Sequence, residues 1–342
     1  MTTINTVTGP ISADALGTVL PHEYVILVDE TYRMNYLRDW DEDVRVAAAV
    51  RELTELKSLG VDTIFDLSVV GAGRNVARVK RIAEQIDLNI LVATGLFTYN
   101  DLPFQFHYNG PGLGSETYEP MVDMFVEDLT TGVAGTDVKA ALLTCVIESE
   151  GLTSGVERIL RAVGKASART GAPVLVHTNP HTRSGLVAQR VLTEEGVDLR
   201  RVILGQCGDT TDVEFLTQLA DAGSILALDR FGIDVLLPYQ QRLQTLLALI
   251  ERGYADHVVL SQMAFSYCDW FDMTKLPLLQ PDWNYRQITG RVVPDLLDHG
   301  VSQDVIDTML IDVPRRFITG DTSVRPGPSS PISSISGLSP DK

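Results

Sequence analysis

The sequence predicts an α/β fold, a (β/α)8 TIM barrel, and three observations lead to this prediction. Eight short apolar runs rich in β-branched residues recur along the chain, and amphipathic stretches lie between them. Each run is nearly continuously hydrophobic, as a parallel strand buried on both faces must be. The units recur evenly, which favours closure into a barrel over the alternative, a doubly wound open sheet. A single barrel domain over residues 1–320 is therefore expected.

The predicted strands and helices alternate along most of the chain. The predicted strands are residues 24–29, 61–69, 89–97, 138–147, 173–179, 201–207, 224–231 and 257–265. The predicted helices are residues 43–59, 72–86, 154–169, 184–195, 211–222 and 240–252. Residues 98–137, rich in Tyr, Pro and Gly, are expected to be a long insertion that forms part of the barrel mouth. The Ser/Pro/Gly-rich segment 321–342 is expected to be disordered, because it has little to bury.

The chain is acidic, with a formal net charge of −17 and an isoelectric point of about 4.7. This charge argues against nucleic acid or an anionic membrane as a partner, since both need a basic face. No apolar run is long enough to span a membrane, and the N-terminus lacks the charged and apolar regions of a signal peptide. Three widely spaced cysteines give no disulfide framework, so a reducing cytoplasm is the expected location.

The first strand contains the short polar sequence His22-Glu23-Tyr24. Chemistry in such a barrel lies at the carboxyl ends of the strands, but these residues come at the start of the run 24–29. A strand over residues 17–24 is the alternative, and it places them at the carboxyl end. Side chains two residues apart in a strand face the same way, so His22 and Tyr24 are expected to share a face.

Other polar residues follow the remaining predicted strands and are candidates for the same site. They are Thr144, His177, Asn179, Gln206, Asp209, Asp229, Arg230 and Gln262. Two interpretations of the neighbours Asp229 and Arg230 stay open: a structural ion pair, or an Arg that binds a carboxylate or phosphate of a ligand. Cys145 and Cys207 follow inward-pointing positions, so alternation predicts that they face the helices and are structural.

Several long motifs resemble one known family. They include TVTGPISADALGTVLPHEYV, NILVATGLFTYNDLPF, GAPVLVHTNPHTRSG, RVILGQCGDTTDVEFLTQLADAGSILALDRFGID and IDTMLIDVPRRF. In order and length these motifs, spread over about residues 1–320, are similar to phosphotriesterase-like proteins of the amidohydrolase superfamily. The motifs HTNPHT, LDRFGID and TYNDLPF resemble the lactonase-like branch most. The resemblance implies a (β/α)8 barrel, often a homodimer, in which two divalent metals hold a hydroxide that attacks a lactone or phosphotriester.

The resemblance also implies a set of metal ligands, which this chain keeps only in part. The family has two His on strand 1, a carboxylated Lys on strand 4, a His on each of strands 5 and 6, and an Asp on strand 8. The matching residues here are His22, Tyr24, Thr144, His177, Gln206 and Met263. Thr and Gln are weak neutral donors, a thioether suits softer ions than zinc, and a phenol with a pKa of about 10 would have to lose its proton. We therefore expect no zinc and no other cofactor at this site.

Other pocket residues of the family also have matches in this chain. The resemblance implies that Asp209 relays protons and that Arg230 and Tyr99 face the substrate. Phe97 stands where the lactonases often have a Tyr that touches the metal-bound water. This departure again points to a site without an activated water.

The leading hypothesis is a metal-independent enzyme that performs acid–base chemistry of the lyase, isomerase, dehydration or cyclisation type on a small molecule in the barrel mouth. Its catalytic candidates are His22, Tyr24, His177 and Asp209. Its candidates for substrate binding are Tyr99, Thr144, Asn179, Gln206, Asp229, Arg230 and Met263. The first alternative is a non-catalytic protein that binds a small molecule or a partner subunit, in which the two His are relics and Tyr24 only fills volume. The second alternative is a residual lactone or ester hydrolase with one weakly held metal.

Overall fold

The computed structural model describes residues 2–111 and 118–321, so the segment 322–342, which was expected to be disordered, lies outside the described residues. The described strands are β1 (Thr3–Thr6), β2 (Gly9–Ser12), β3 (Val19–Glu23), β4 (Ile26–Leu27), β5 (Thr63–Asp66), β6 (Asn89–Gly95), β7 (Leu142–Ile147), β8 (Val174–Thr178), β9 (Val202–Gly205), β10 (Ile225–Leu228), β11 (Val258–Leu260) and β12 (Tyr267–Cys268). The described α-helices are α1 (Glu30–Tyr36), α2 (Glu42–Ser58), α3 (Val76–Ala83), α4 (Phe104–Tyr108), α5 (Pro120–Thr130), α6 (Ser154–Thr170), α7 (Ser184–Glu194), α8 (Val213–Asp221), α9 (Tyr239–Glu251), α10 (Leu276–Leu279), α11 (Val293–Asp298), α12 (Gln303–Asp307) and α13 (Val313–Thr319).

Eight parallel strands form one sheet in the order β3-β5-β6-β7-β8-β9-β10-β11. Because each strand pairs with the next barrel strand along the chain and helices connect them, the sheet curls into a nearly closed TIM-like barrel. The predicted fold class is therefore confirmed. Within the described ranges, no helix combines the length and the apolar character needed to cross a membrane.

Two apolar layers lie on either side of the strands. The inner layer fills the barrel with side chains from alternate strand positions, including Phe65, Leu91, Leu142, Leu175, Ile203 and Val259. The outer layer packs the helices against the sheet. Cys145 and Cys207 are buried in this outer layer, which confirms the prediction that they face the helices. Burial raises the pKa of the Cys145 thiol to about 12, so the thiol stays protonated and unreactive at neutral pH.

The predicted helices with the clearest apolar period coincide with the observed ones. Helices α2, α6, α7 and α9 begin and end within one residue of the predicted bounds. Their starts are fixed by local chemistry as well as by the period. Thr153, for example, caps α6 by accepting the Val156 N–H on its side-chain oxygen.

The structure decides between the two predicted positions of the first strand, and it corrects the prediction for residues 98–137. The first barrel strand is β3, close to the alternative over residues 17–24, whereas the run 24–29 contributes only β4, which pairs with β12 outside the barrel sheet. Residues 98–137 are more than an insertion, because α5 lies within them and packs against α6 and β6 as a barrel helix. Residues 112–117 of that range are outside the described part of the chain.

A β-bulge in β3 decides which polar side chain enters the barrel. The register of β3 against β5 leaves two residues, Pro21 and His22, opposite a single residue of β5. An extra residue inverts the alternation of the side chains that follow it. His22 therefore points into the barrel, where its ring contacts that of His177, and Glu23 points toward the segment after β11.

Glu23 joins the first and the eighth barrel strands. Its Oε1 accepts hydrogen bonds from the Ser261 hydroxyl at 2.7 Å and from the Gln262 N–H at 3.1 Å, and its Oε2 accepts from the Ala264 N–H at 2.7 Å. The side chain is completely buried, and burial raises the pKa of the carboxyl group to about 8. Glu23 therefore adds three hydrogen bonds to a joint that the main-chain bonds from the Met263 N–H to the His22 carbonyl and from the Tyr24 N–H to the Ala264 carbonyl also hold.

Candidate active site

A buried hydrogen-bonded pair, His22 and Asp229, lies at the carboxyl end of the barrel. The His22 Nδ1–H donates to Asp229 Oδ2 at 2.6 Å, and both side chains are completely buried. Asp229 Oδ1 accepts the Gln206 N–H at 2.7 Å. Gly205 leaves the space for this carboxylate, because a Cβ there would lie 3.1 Å from Asp229 Oδ2. An ionised carboxylate only accepts hydrogen bonds, so the pair fixes the imidazole tautomer and leaves Nε2 for another partner.

The hydroxyl oxygen of Tyr24 lies 3.4 Å from His22 Nε2. The two side chains therefore do share a face, although β3 itself ends one residue before Tyr24. Main-chain bonds hold Tyr24 in place, because its N–H donates to the Ala264 carbonyl at 2.9 Å and its carbonyl accepts from the Tyr285 hydroxyl. Burial raises the pKa of the phenol well above its usual range, so Tyr24 is a neutral hydrogen-bond donor at neutral pH.

His177 ends the inward face of β8 and packs against two other rings. Its centroid lies 4.5 Å from that of His22, with the ring planes at 84°, and 5.4 Å from that of Phe97, with the planes at 88°. Burial, and then electrostatic interactions with His22 and Arg230, lower the pKa of His177 well below its usual range. His177 is therefore a neutral imidazole at neutral pH, with a lone pair available on one ring nitrogen.

Several polar atoms around His177 lack partners. His177 Nε2, Thr144 Oγ1 and Gln206 Oε1 are buried, and they form no hydrogen bond with the described residues. Buried polar atoms without partners are unfavourable, so this region offers unused hydrogen-bonding capacity to water or a bound molecule. The site thus has two halves: the bonded half is His22, Tyr24 and Asp229, and the unbonded half is Thr144, His177 and Gln206.

Arg230 belongs to a second polar network. Its Nη1 donates to Asp209 Oδ2 at 2.8 Å, and the completely buried Arg242 donates from Nη1 to Asp209 Oδ1 at 2.6 Å. The interpretation of Asp229 and Arg230 as an ion pair is therefore wrong, because Asp229 bonds to His22 and Arg230 to Asp209. Burial alone would lower the pKa of Arg230, but Asp209 and Asp229 outweigh it and raise the pKa, so the guanidinium stays charged.

The remaining candidates surround this centre at different depths. Tyr99 is 43% exposed at the mouth, and its ring lies 5.4 Å from that of Phe97. The Asn179 side-chain amide donates to Glu148 at 2.9 Å, so it is already engaged beside the pocket. Met263 has a left-handed backbone (φ +52°) and packs against the inner apolar layer. The structure thus brings the inward-facing candidates together and leaves Tyr99 and Asn179 at the rim.

Sequence reasoning missed two residues that organise the site, Glu23 and Arg242. For Arg242 a signal existed, because Arg242, Leu246 and Leu249 recur at the helical period of one buried face of α9. A cation on such a face needs a buried partner, and here that partner is Asp209. For Glu23 there was no local signal, because the bulge that turns it toward β11 is set by strand pairing.

A parallel eight-stranded barrel with buried polar groups at the carboxyl ends of its strands defines the class, a TIM-like barrel with an enzyme-like site. Within that class, the chain belongs to the phosphotriesterase family, whose model matches residues 2–318. It is 50% identical over 318 residues to a phosphotriesterase homology protein of Mycobacterium tuberculosis, covering 93% of this chain and 98% of that protein.

Two further similarities agree with this membership. The chain is 32% identical over 311 residues to an aryldialkylphosphatase of Saccharolobus solfataricus, covering 90% of this chain and 97% of that protein. The solved structure of the phosphotriesterase from Mycobacterium tuberculosis superposes with a TM-score of 0.91 at 49% identity, covering 93% and 98% of the two chains. The family thus includes hydrolases.

The donors present can be compared with the two-metal centre that the family resemblance implies. Tyr24 is a protonated phenol, and the Thr144 and Gln206 side chains are neutral. Among residues 2–111 and 118–321, no three or more His, Cys, Asp or Glu side chains are grouped so that they could hold an ion. Because a catalytic zinc takes at least about three such ligands, the residues of this site do not fit a binuclear zinc centre.

Proposed function

We propose that the protein is a metal-independent enzyme that performs acid–base chemistry on a small organic molecule in the barrel mouth. The observation that carries the proposal is the series Asp229–His22–Tyr24, in which a carboxylate orients an imidazole whose other nitrogen faces a phenol. This order of groups is the one by which a carboxylate, an imidazole and a hydroxyl act together in proton transfer.

The three side chains around the centre have complementary roles in this proposal. His177 is neutral, so its unpartnered Nε2 accepts a proton from the substrate. Tyr24 stays protonated, so its hydroxyl gives a proton to a substrate oxygen, while the unprotonated Nε2 of His22 orients that hydroxyl. The proton taken by His177 returns to Tyr24 through water when the product leaves. One proton is removed and one is delivered, as lyase, isomerase, dehydration and cyclisation reactions require.

A second candidate function is the binding of a small molecule without turnover. It is favoured by the burial of the same groups, since His22, Tyr24 and His177 are each at most 2% exposed. A ligand can reach them only by displacing neighbouring side chains. The experiment must therefore separate binding from chemistry.

The test uses the full chain after dialysis against a chelator. Small carbonyl compounds, 2-hydroxy acids and lactones are incubated with it in D2O, and NMR follows both product formation and deuterium incorporation at carbon. We expect turnover or exchange that the chelator does not reduce and that Tyr24→Phe and His22→Asn abolish. Tyr254→Phe is the control, because it removes a hydroxyl that donates a hydrogen bond at the surface, to Asp221, outside this site.

Three outcomes contradict the proposal. Activity that appears only after zinc is added supports a residual hydrolase with a weakly held metal. Ligand binding without turnover or exchange supports the non-catalytic alternative. Activity that survives both Tyr24→Phe and His22→Asn shows that proton transfer does not pass through this series.

A further inference from the structure

Arg230 presents one unused edge of its guanidinium group to the site. Its Nη1 bonds to Asp209, whereas Nε is buried without a partner and Nη2 forms no hydrogen bond with the described residues. The Nε–H and Nη2–H of an arginine point the same way and together form a planar fork. Such a fork matches the two oxygens of a carboxylate or of a phosphate.

The direction of this fork is fixed by a residue that lies outside the mouth. Arg242 on α9 is completely buried and donates from Nη1 to both Asp209 Oδ1 and the Gly208 carbonyl. Asp209 therefore has each of its oxygens on a different arginine, Arg242 behind it and Arg230 in front. A buried arginine is unfavourable unless its partners need it, and what Arg242 holds in place is the carboxylate that aligns Arg230.

The charges around Arg230 favour a carboxylate over a phosphate. Asp209, Asp229 and Glu148 all act electrostatically on Arg230, so the region already contains several negative charges. Arg230 is the cation that remains for a ligand, since Arg242 is enclosed behind Asp209. A dianion would add more negative charge than one shared guanidinium can compensate, whereas a single carboxylate adds one charge and needs only the one free edge.

Aromatic side chains near the same group indicate what the carboxylate is attached to. Burial, and then Glu148, raise the pKa of the Tyr99 phenol, and the Arg230 cation lies close enough to oppose them. The rings of Phe97 and Trp270 lie 5.9 Å apart at 33°, and Trp270 is 45% exposed. The Phe97 ring also lies 5.4 Å from that of Tyr99, so an aromatic cluster reaches the tyrosine on which Arg230 acts, which suits an organic carboxylate with an apolar or aromatic body.

We propose that the free Nε–Nη2 edge of Arg230 binds a carboxylate of the substrate in a bidentate manner, and that Arg242, acting through Asp209, is the positioning residue for this clamp. The inference rests on the proposed function, because it names the substrate class for the same site. It predicts recognition of a charged group and makes no use of proton transfer, so the two proposals can fail separately.

The experiment measures binding of benzoate and of its neutral isostere benzamide to the full chain after chelator treatment, by calorimetry and NMR titration. We expect benzoate to bind at least about tenfold more tightly than benzamide, as a charge-assisted fork requires. Arg230→Gln removes this preference, and Arg230→Lys reduces it because an ammonium cannot form the fork. Tyr24→Phe and His22→Asn keep it, even where they abolish turnover.

The role of Arg242 is tested by the same ratio of the affinities for benzoate and benzamide. Arg242→Lys is expected to weaken benzoate binding and leave benzamide binding unchanged, an effect that general loss of structure would not produce. Arg252→Gln is the matched control, because Arg252 follows the same helix and pairs with Glu214 at the surface. Should Arg242→Lys not fold, Arg230→Gln and Asp209→Asn still decide the proposal.

Three results would overturn the inference. Equal affinity for benzoate and benzamide would show that Arg230 does not recognise a carboxylate. Benzoate binding that persists in Arg230→Gln would show the same. Inorganic phosphate that displaces benzoate at equal concentration assigns the fork to phosphate instead. If the preference for benzoate is found and no substrate ever turns over, only the proposed function fails.

Discussion

The bonded and the unbonded halves of the site contain the same residue type in opposite situations. His22 donates to a buried carboxylate and faces a phenol, so both of its ring nitrogens have partners. His177, whose ring centroid is 4.5 Å away, has a buried Nε2 without a partner and a lowered pKa. One imidazole is held in a fixed tautomer and the other is kept neutral and unused. The comparison teaches that burial alone does not assign a role to a histidine, because its hydrogen-bond partners do.

The largest expected effect comes from restoring the family's ligands at four positions at once, three in the two halves and the fourth at Met263. The quadruple variant Tyr24→His, Thr144→Lys, Gln206→His, Met263→Asp is expected to retain zinc through dialysis, whereas the wild type loses it, because only the variant has enough nitrogen and carboxylate donors. Metal content by mass spectrometry is the measurement. A chelator should lower the Tm of the variant alone, since a bound ion stabilises the native state. Stoichiometric zinc in the dialysed wild type would contradict this prediction.

The next effect concerns the carboxyl group that fastens β3, and with it the bonded half, to the eighth strand. The Glu23 carboxyl has a pKa of about 8 in the folded chain against 4.5 when unfolded, so between these values the unfolded chain ionises first. The contribution of Glu23 to the free energy of unfolding should be fully present below about pH 4.5. It should be lost as the pH rises to 8, by up to roughly 1.4 kcal/mol per pH unit. Denaturation at several pH values should show this slope in the wild type and not in Glu23→Gln. Parallel curves for the two proteins would refute it.

Removing the carboxylate of the bonded half should lower the free energy of unfolding by less than the full effect expected for Glu23. Asp229→Asn deprives the His22 Nδ1–H and the Gln206 N–H of their charged acceptor, so we expect a loss of about 2 kcal/mol in the free energy of unfolding. Asp256→Asn is the control, because Asp256 forms the same kind of pair with the half-buried His257, where a loss below about 1 kcal/mol is expected. Equal losses would mean that burial does not strengthen the His22 pair.

The smallest effect is expected in the unbonded half. Thr144→Val keeps the shape of the side chain and removes a buried hydroxyl that has no described partner. The free energy of unfolding should stay within about 1 kcal/mol of the wild type or rise slightly. Chemical denaturation measures it, with Thr63→Val as the contrast, because the Thr63 hydroxyl donates to the Leu16 carbonyl at 2.5 Å. A large loss at Thr144 would reveal a hydrogen bond to bound water.

The sequence predicted the barrel because its evidence is local and repeated. Apolar runs and helical periods place β8 and α6 to within a residue or two, whatever the rest of the chain does. The centre of the site was only partly accessible. The shared face of His22 and Tyr24 follows from spacing, but the bond from His22 to Asp229 joins residues 207 positions apart.

Glu23 shows why the other contacts of the site could not be predicted from the sequence. Alternation within His22-Glu23-Tyr24 places Glu23 on the face opposite to its two neighbours, but the bulge decides which of the two faces is the inner one. Neither says which residues Glu23 meets. Its partners come from the segment after β11, about 239 positions away, and only the closed barrel brings them together. Likewise, the pairing of Asp209 with two arginines depends on how α9 packs against the sheet.

Gly205 determines the order in which substitutions at positions 205 and 229 are tolerated. A Cβ at this position would lie 3.1 Å from Asp229 Oδ2, tighter than an ordinary contact, so Gly205→Ala pushes against the carboxylate that holds His22. If position 229 changes first to a smaller residue, the nearest remaining atoms to the same methyl group are the Val176 carbonyl oxygen at 3.4 Å and the His177 Cα at 3.5 Å, which are ordinary contacts. The two positions are therefore epistatic, and lineages that give up the carboxylate can later accept a larger residue at 205, whereas the reverse order passes through an unfavourable intermediate.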